Sequence, residues 1–184
     1  MSNIPVTPDD IVDFWFSDTS RKHWFKSTPE FDRELADRFG DLPEQATLGR
    51  LDEWADSARG ALALVIVLDQ LPRNIHRGSA ETYRFDARAR EVCKQAIDKG
   101  LNNQLDGWEL GFLYMPLMHS ENRDDQELSV RLFTEAALDN ASYAIHHRDI
   151  VRRFGRFPHR NRLLGRESTR EELEYLASDE AFTG

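Results

Sequence analysis

Apolar positions along the chain recur at helical spacing, and helix-starting signals precede them. Thr7-Pro8-Asp9-Asp10 places a capping hydroxyl, a first-turn proline and acids ahead of Ile11-Val12-Asp13-Phe14-Trp15-Phe16. Thr28-Pro29-Glu30 repeats the device before Phe31 to Phe39, and Gly40 is expected to close that helix. Ser57 to Leu71 is apolar on every side of a helical wheel, which predicts a central helix buried by its neighbours. Asp86 is expected to cap a helix to Lys99, Asp106 one over Trp108 to Met118, and Asp124 or Asp125 to precede one to Leu138. Ala141 to Phe154 reads as helix up to Gly155, and Ser168-Thr169-Arg170-Glu171 as a capping box opening a last helix through Leu176. The β-branched run Val65-Ile66-Val67 lies inside a longer apolar helical window, so no strand is predicted. The pattern therefore describes an all-α chain of about eight helices, without a clean fixed-period repeat.

Length changes the picture little: 184 residues fit one domain, 1–184, able to bury a single core. The longest strongly apolar stretch, Ala61 to Leu68, is far shorter than the roughly 20 residues a bilayer crossing needs, so no membrane association is expected. Met1-Ser2-Asn3-Ile4-Pro5 has neither the basic start nor the apolar core of a secretory signal, which predicts a cytoplasmic protein. A lone Cys93 agrees with a reducing compartment and reads as a structural core residue.

Charge changes it more. The formal net charge of −9 argues against nucleic acid as a partner. Yet His146 to Arg170 holds eight arginines against two acids, Asp149 and Glu167. Arginine is the better residue for forked contacts with carboxylate or phosphate.

Three stretches combine residue types that cores normally exclude. In Leu68-Asp69-Gln70-Leu71-Pro72-Arg73-Asn74, Asp69 is expected near a helix C-terminus, where the helix dipole disfavours its charge and calls for a partner such as Arg73. In Tyr114 to Glu121, an apolar run ends in His119 and Glu121, types able to transfer protons or ligate metal. In His147 to Arg166, His147 shares a helical face with Ala144, Val151 and Phe154, and Pro158 ends the helix and fixes the loop His159-Arg160-Asn161. Pro72-Arg73-Asn74 and Pro158-His159-Arg160-Asn161 thus read as two proline turns bearing planar donors suited to an anion, and are expected to face each other. The bland alternative is a buried polar network in which arginines only lock loops to helices.

These segments, with Leu164-Gly165-Arg166, Ile11 to Phe16 and Trp24-Phe25, resemble a bacterial family of uncharacterised proteins, domain of unknown function 924. The resemblance spans about Ile11 to Leu176, with His76 as a departure where an aromatic residue is associated with the family. It implies a helical fold similar to tetratricopeptide-repeat proteins, built of antiparallel helix pairs, and no established activity.

The reading that follows is a site for a small anionic ligand, with Asp69, Arg73, Asn74, Arg156, His159, Arg160 and Asn161 in binding roles. Were a reaction catalysed, His119 or His147 would move protons and Glu121 would orient or act as base. A helical scaffold for a protein or peptide partner is the second reading. A metal-dependent hydrolase using His119, Glu121, His147 and His159 is a weaker third, since no HExxH or paired Cys/His spacing is present, and no metal ligand is assigned. The sequence names no cofactor, leaves catalysis undecided, and is compatible with a homodimer.

Overall fold

The computed structural model describes residues 6–182, so the reading of Met1 to Pro5 lies outside the described residues. The described chain is all-α: α1 (Pro8–Trp15), α2 (Asp18–Arg21), α3 (Pro29–Phe39), α4 (Leu42–Thr47), α5 (Ala58–Val65), α6 (Leu71–Ile75), α7 (Asp86–Asp98), α8 (Gly107–Met118), α9 (Arg123–Glu135), α10 (Ala141–Phe154) and α11 (Arg170–Leu176). Among the described residues no strand forms, and no helix is long and apolar enough to cross a membrane. The chain divides into two compact units: residues up to Arg77 with Glu81–Pro116, and Gly78–Ala80 with the chain from Leu117 onward.

In the first unit, α5 is the central helix, because Ala58 and every residue from Gly60 to Val65 is buried. It packs against α1 and α7, which turn Ile11, Val12 and Trp15, and Ala89, Val92 and Cys93, inward. Each large side chain buried this way stabilises the fold by about 1.5–3 kcal/mol. Thr7 caps α1 through a reciprocal box with Asp10, and Thr28 caps α3, as their sequence signals predict.

The helix does not stop at Asp69. It widens into a π-helical turn over Ile66–Gln70, where the Leu71 N–H donates to the Ile66 carbonyl, and continues as α6. Proline explains the widening: Pro72 has no N–H to give, and in a regular helix its ring would strike the carbonyl four residues back. Pro72-Arg73-Asn74 is consequently a helical segment rather than a turn, and Asp69 is a mid-helix residue, wholly buried. Asp86 likewise does not cap α7. It is the first helical residue, behind Phe85 in the capping position, and its carboxylate goes to Arg73 instead.

In the second unit, α9 and α10 form an antiparallel pair: Glu127, near the start of α9, accepts from Arg152 near the end of α10 at 2.7 Å. The cap of α9 is Asn122, two residues before the first aspartate predicted for that role. Gly155 ends α10 with φ of 72°, the left-handed conformation that favours glycine. The capping box of α11 is shifted by one residue from the predicted pair: Thr169 takes the Glu172 N–H, and the Glu172 carboxylate takes the Thr169 N–H. Ile150, Val151, Phe157 and Tyr175 form this unit's apolar cluster, with Phe154, Leu176 and Phe182 packed on it.

Candidate functional site

The sequence-predicted residues fall in both units. Asp69, Arg73 and Asn74 belong to the first; His119, Glu121, His147, Arg156, His159, Arg160 and Asn161 belong to the second.

In the first unit, the Arg73 guanidinium donates to both oxygens of Asp86, at 2.9 and 3.1 Å, and to the Asp69 backbone carbonyl at 2.7 Å. Its Nη1 also lies 3.1 Å from the Asp69 carboxylate. Burial alone would lower the Arg73 pKa, but the charges of Asp69 and Asp86 outweigh it and raise the pKa above its usual value. Gln70 donates to Asp69 at 2.6 Å, and Asn74 donates to the Gln70 carbonyl at 3.0 Å while accepting from Arg77 at 3.0 Å. These groups form a two-carboxylate, one-guanidinium cluster that ties the π turn to the start of α7.

In the second unit, α8 ends at Met118 and α10 at Phe154, and the loop after each carries the polar residues. Glu121 accepts two bonds from Arg166, at 2.7 and 2.9 Å, and one from the Phe157 N–H at 2.7 Å. Burial pushes its carboxyl up, yet Arg166, the Phe157 amide and the Arg160 charge together hold it below the usual carboxylate range. Arg156 forks onto Glu172 at 2.6 and 2.8 Å. Asn161 donates to Ser168 at 3.0 Å and to Glu172 at 3.2 Å, and accepts from Arg166 at 3.0 Å. Glu121, Arg156, Asn161, Arg166 and Glu172 thus bind one another and shape the loop between α10 and α11. Bidentate pairs of this kind fix geometry as well as adding energy.

A second group in the same unit is built from imidazoles. His147, 3% exposed, lies 2.7 Å from the Tyr143 carbonyl through Nδ1. A carbonyl only accepts, so Nδ1 carries the proton and Nε2 is left with its lone pair. The His119 ring centre is 6.3 Å from that of His147, and the Phe157 ring meets those of His147 and His159, with ring centres 5.5 and 5.7 Å away. Arg160 sets its guanidinium 4.6 Å over the Phe157 ring and donates to the His119 carbonyl at 2.9 Å. Burial, followed by the charge of His119, pushes the His147 pKa down to about 3; burial, followed by the charge of Arg160, does the same for His159. Both rings are therefore neutral at physiological pH and sit in a local field that disfavours positive charge.

Among the described residues, no three His, Cys, Asp or Glu side chains gather in a way that would hold a metal ion. Three members of the second unit's site escaped sequence reading. Tyr143 acts through its backbone, which no side-chain pattern reports. Glu172 was readable only as an exposed helix acid, although its place three residues after Thr169 is a capping signature. Phe182, whose ring meets His147 at 4.4 Å and His159 at 5.1 Å, follows the last helix without any periodic signal.

No functionally curated protein matches the chain. A solved protein of unknown function, ATU0120 from Agrobacterium tumefaciens, is 40% identical and superposes with a TM-score of 0.88, covering 92% of this chain and 96% of its own. Residues 11–180 match a bacterial family of proteins of unknown function, and the segments quoted from the sequence fall within that span. The chain belongs to this family, DUF924.

Proposed function

We propose that the second unit binds a small anion, a carboxylate or phosphate, at His119, His147, His159 and Arg160. One observation carries the reading: in a chain of net charge −9, three imidazoles gather beside Arg160, and two of them, buried His147 and half-buried His159, are held neutral with their pKa near 3. Clustered, strongly perturbed titratable groups are a mark of functional sites. Neutral imidazoles offer hydrogen bonds, and a bound anion would oppose the burial and neighbouring positive charge that keep them unprotonated. Glu121, Arg156, Asn161 and Arg166 hold the loop that presents these groups. Arg73, Asn74 and Asp69, bonded within the first unit, act there as a helix-locking cluster.

The test is titration of 13C-histidine-labelled protein with acetate and with inorganic phosphate, following the ring resonances. Saturable shifts at His147 and His159 that disappear in Arg160→Gln support the site. Unmoved rings at millimolar anion, in protein that is folded by its amide spectrum, would sink it. A scaffold for protein partners is the competing reading; it predicts no such shifts.

A further inference from the structure

The segment after α11 turns back on the imidazole group. Tyr175 Oη accepts the Phe182 N–H at 2.9 Å; along the intervening chain the Ala177 N–H donates to the Leu173 carbonyl, the Ser178 N–H and hydroxyl to the Tyr175 carbonyl, and the Ala181 N–H to the Ser178 carbonyl. This carries the Phe182 ring onto the histidines edge to face: 4.4 Å and 61° with His147, 5.1 Å and 77° with His159, and 6.3 Å and 69° with His146. Unlike Phe157, which is wholly buried, Phe182 is only half-buried and comes from an irregular stretch.

We infer that the Phe182 ring is a displaceable plug in a slot for a flat aromatic ring, and that the ligand of this site is an aromatic carboxylate or similar ring-bearing anion. This rests on the anion-site reading above and deepens it by naming the ligand class. Two arguments carry it. The slot is walled by the neutral imidazoles of His147 and His159, at separations and tilts close to those that aromatic pairs prefer, about 4.5–7 Å, so a ligand ring can take over the contacts that Phe182 makes. Arg160, its guanidinium over the Phe157 ring, makes a cationic ring unwelcome and an anionic one welcome. The plug's tether among the described bonds is a single amide-to-phenol hydrogen bond and short turns, a class of contact that opens locally without unfolding the unit.

Displacement means that the apparent affinity is the intrinsic affinity scaled by the fraction of molecules with the plug out. Removing the plug therefore tightens binding of ring-bearing anions and leaves ringless ones alone. The experiment compares benzoate and acetate binding, by calorimetry and histidine-ring shifts, in the native chain, Phe182→Ala and Tyr175→Phe. The last keeps the ring and removes only the hydroxyl that holds its amide, so it serves if Phe182→Ala fails to fold. Expected is benzoate binding about tenfold tighter in Phe182→Ala, as for a plug seated about nine-tenths of the time. A smaller gain is expected in Tyr175→Phe, with acetate unchanged in both. Benzoate and acetate binding alike in all three proteins would overturn the plug while leaving the anion site standing. Failure of both probes to bind any of the three proteins would overturn the anion site and the plug together.

Discussion

Glu121 and Arg166 face each other fork to fork, with both carboxylate oxygens within 2.9 Å of guanidinium nitrogens, and the same carboxylate caps the Phe157 N–H. One side chain after α8 thereby fixes the first residues of the loop after α10. Glu121→Ala would strand a half-buried guanidinium and a backbone donor at once. The expected loss is about 2–3 kcal/mol of unfolding free energy, measured by urea denaturation, with Glu121→Gln losing less because it still accepts from the amide. Equal stability of the alanine variant and the native chain would show that the pair is decorative.

Acid should weaken the second unit in two stages. His147 and His159 are held at about 3 in the fold against a usual 6.5, so below pH 6.5 the unfolded chain takes up protons that the folded one refuses, and stability falls toward pH 3. Glu172, held at about 2 by its hydrogen bonds from Arg156 against a usual 4.5, contributes stability that is complete above pH 4.5 and lost as pH falls toward 2. The thermal midpoint should therefore decline from pH 6.5 and more steeply below 4.5, with Glu172→Gln flattening the second stage. A midpoint constant between pH 7 and 5 would contradict the neutral-histidine assignment.

In the first unit, Arg73 serves two carboxylates, one of them with no exposed surface. Arg73→Met should cost about 3–5 kcal/mol, because it deprives the buried Asp69 charge of its guanidinium beside half-buried Asp86. Arg73→Lys should recover little, since a point charge cannot reproduce the fork on Asp86. Chemical denaturation of the three proteins decides it.

Two small residues should respond in opposite directions. A Cβ on Gly60 would lie 2.0 Å from the Trp54 carbonyl oxygen, so Gly60→Ala, helix-favouring on an exposed surface, should cost more than about 2 kcal/mol here. Ala137, between α9 and α10, has φ of +49°, and Ala137→Gly should be neutral or stabilising by about 1 kcal/mol. Thermal melts that rank these two variants the other way round would refute the backbone argument.

What was legible in the sequence follows the physics of each signal. Caps and periodicity act locally, so α1, α3 and α10 begin and end within a residue or two of where Thr7, Thr28 and Gly155 indicate. Proline was misread at Pro72, since its usual meaning as a helix stop was overridden by a wider turn that accommodates it. Asp86 looked like a cap because aspartate commonly is one; its choice of Arg73 depends on chain 13 residues away. Among the site residues, the histidines and arginines stood out by type, but their division into a bonded loop network and an imidazole group depends on partners such as Tyr143 and Glu172 that carry no distinguishing pattern.

The wide turn at Ile66–Gln70 also has a bearing on how this chain tolerates change in length. A helix with an extra residue in one turn keeps its axis but advances its phase, so every side chain beyond is rotated by about 100° relative to an unbroken α-helix. The surplus residue acts as a frame-shift in space. Deleting one residue between 66 and 70 would leave the composition of the central helix almost untouched, yet would swing Arg73 off Asp86 and bring the Pro72 ring against the backbone behind it. In this helix a residue's place in the count matters more than its identity.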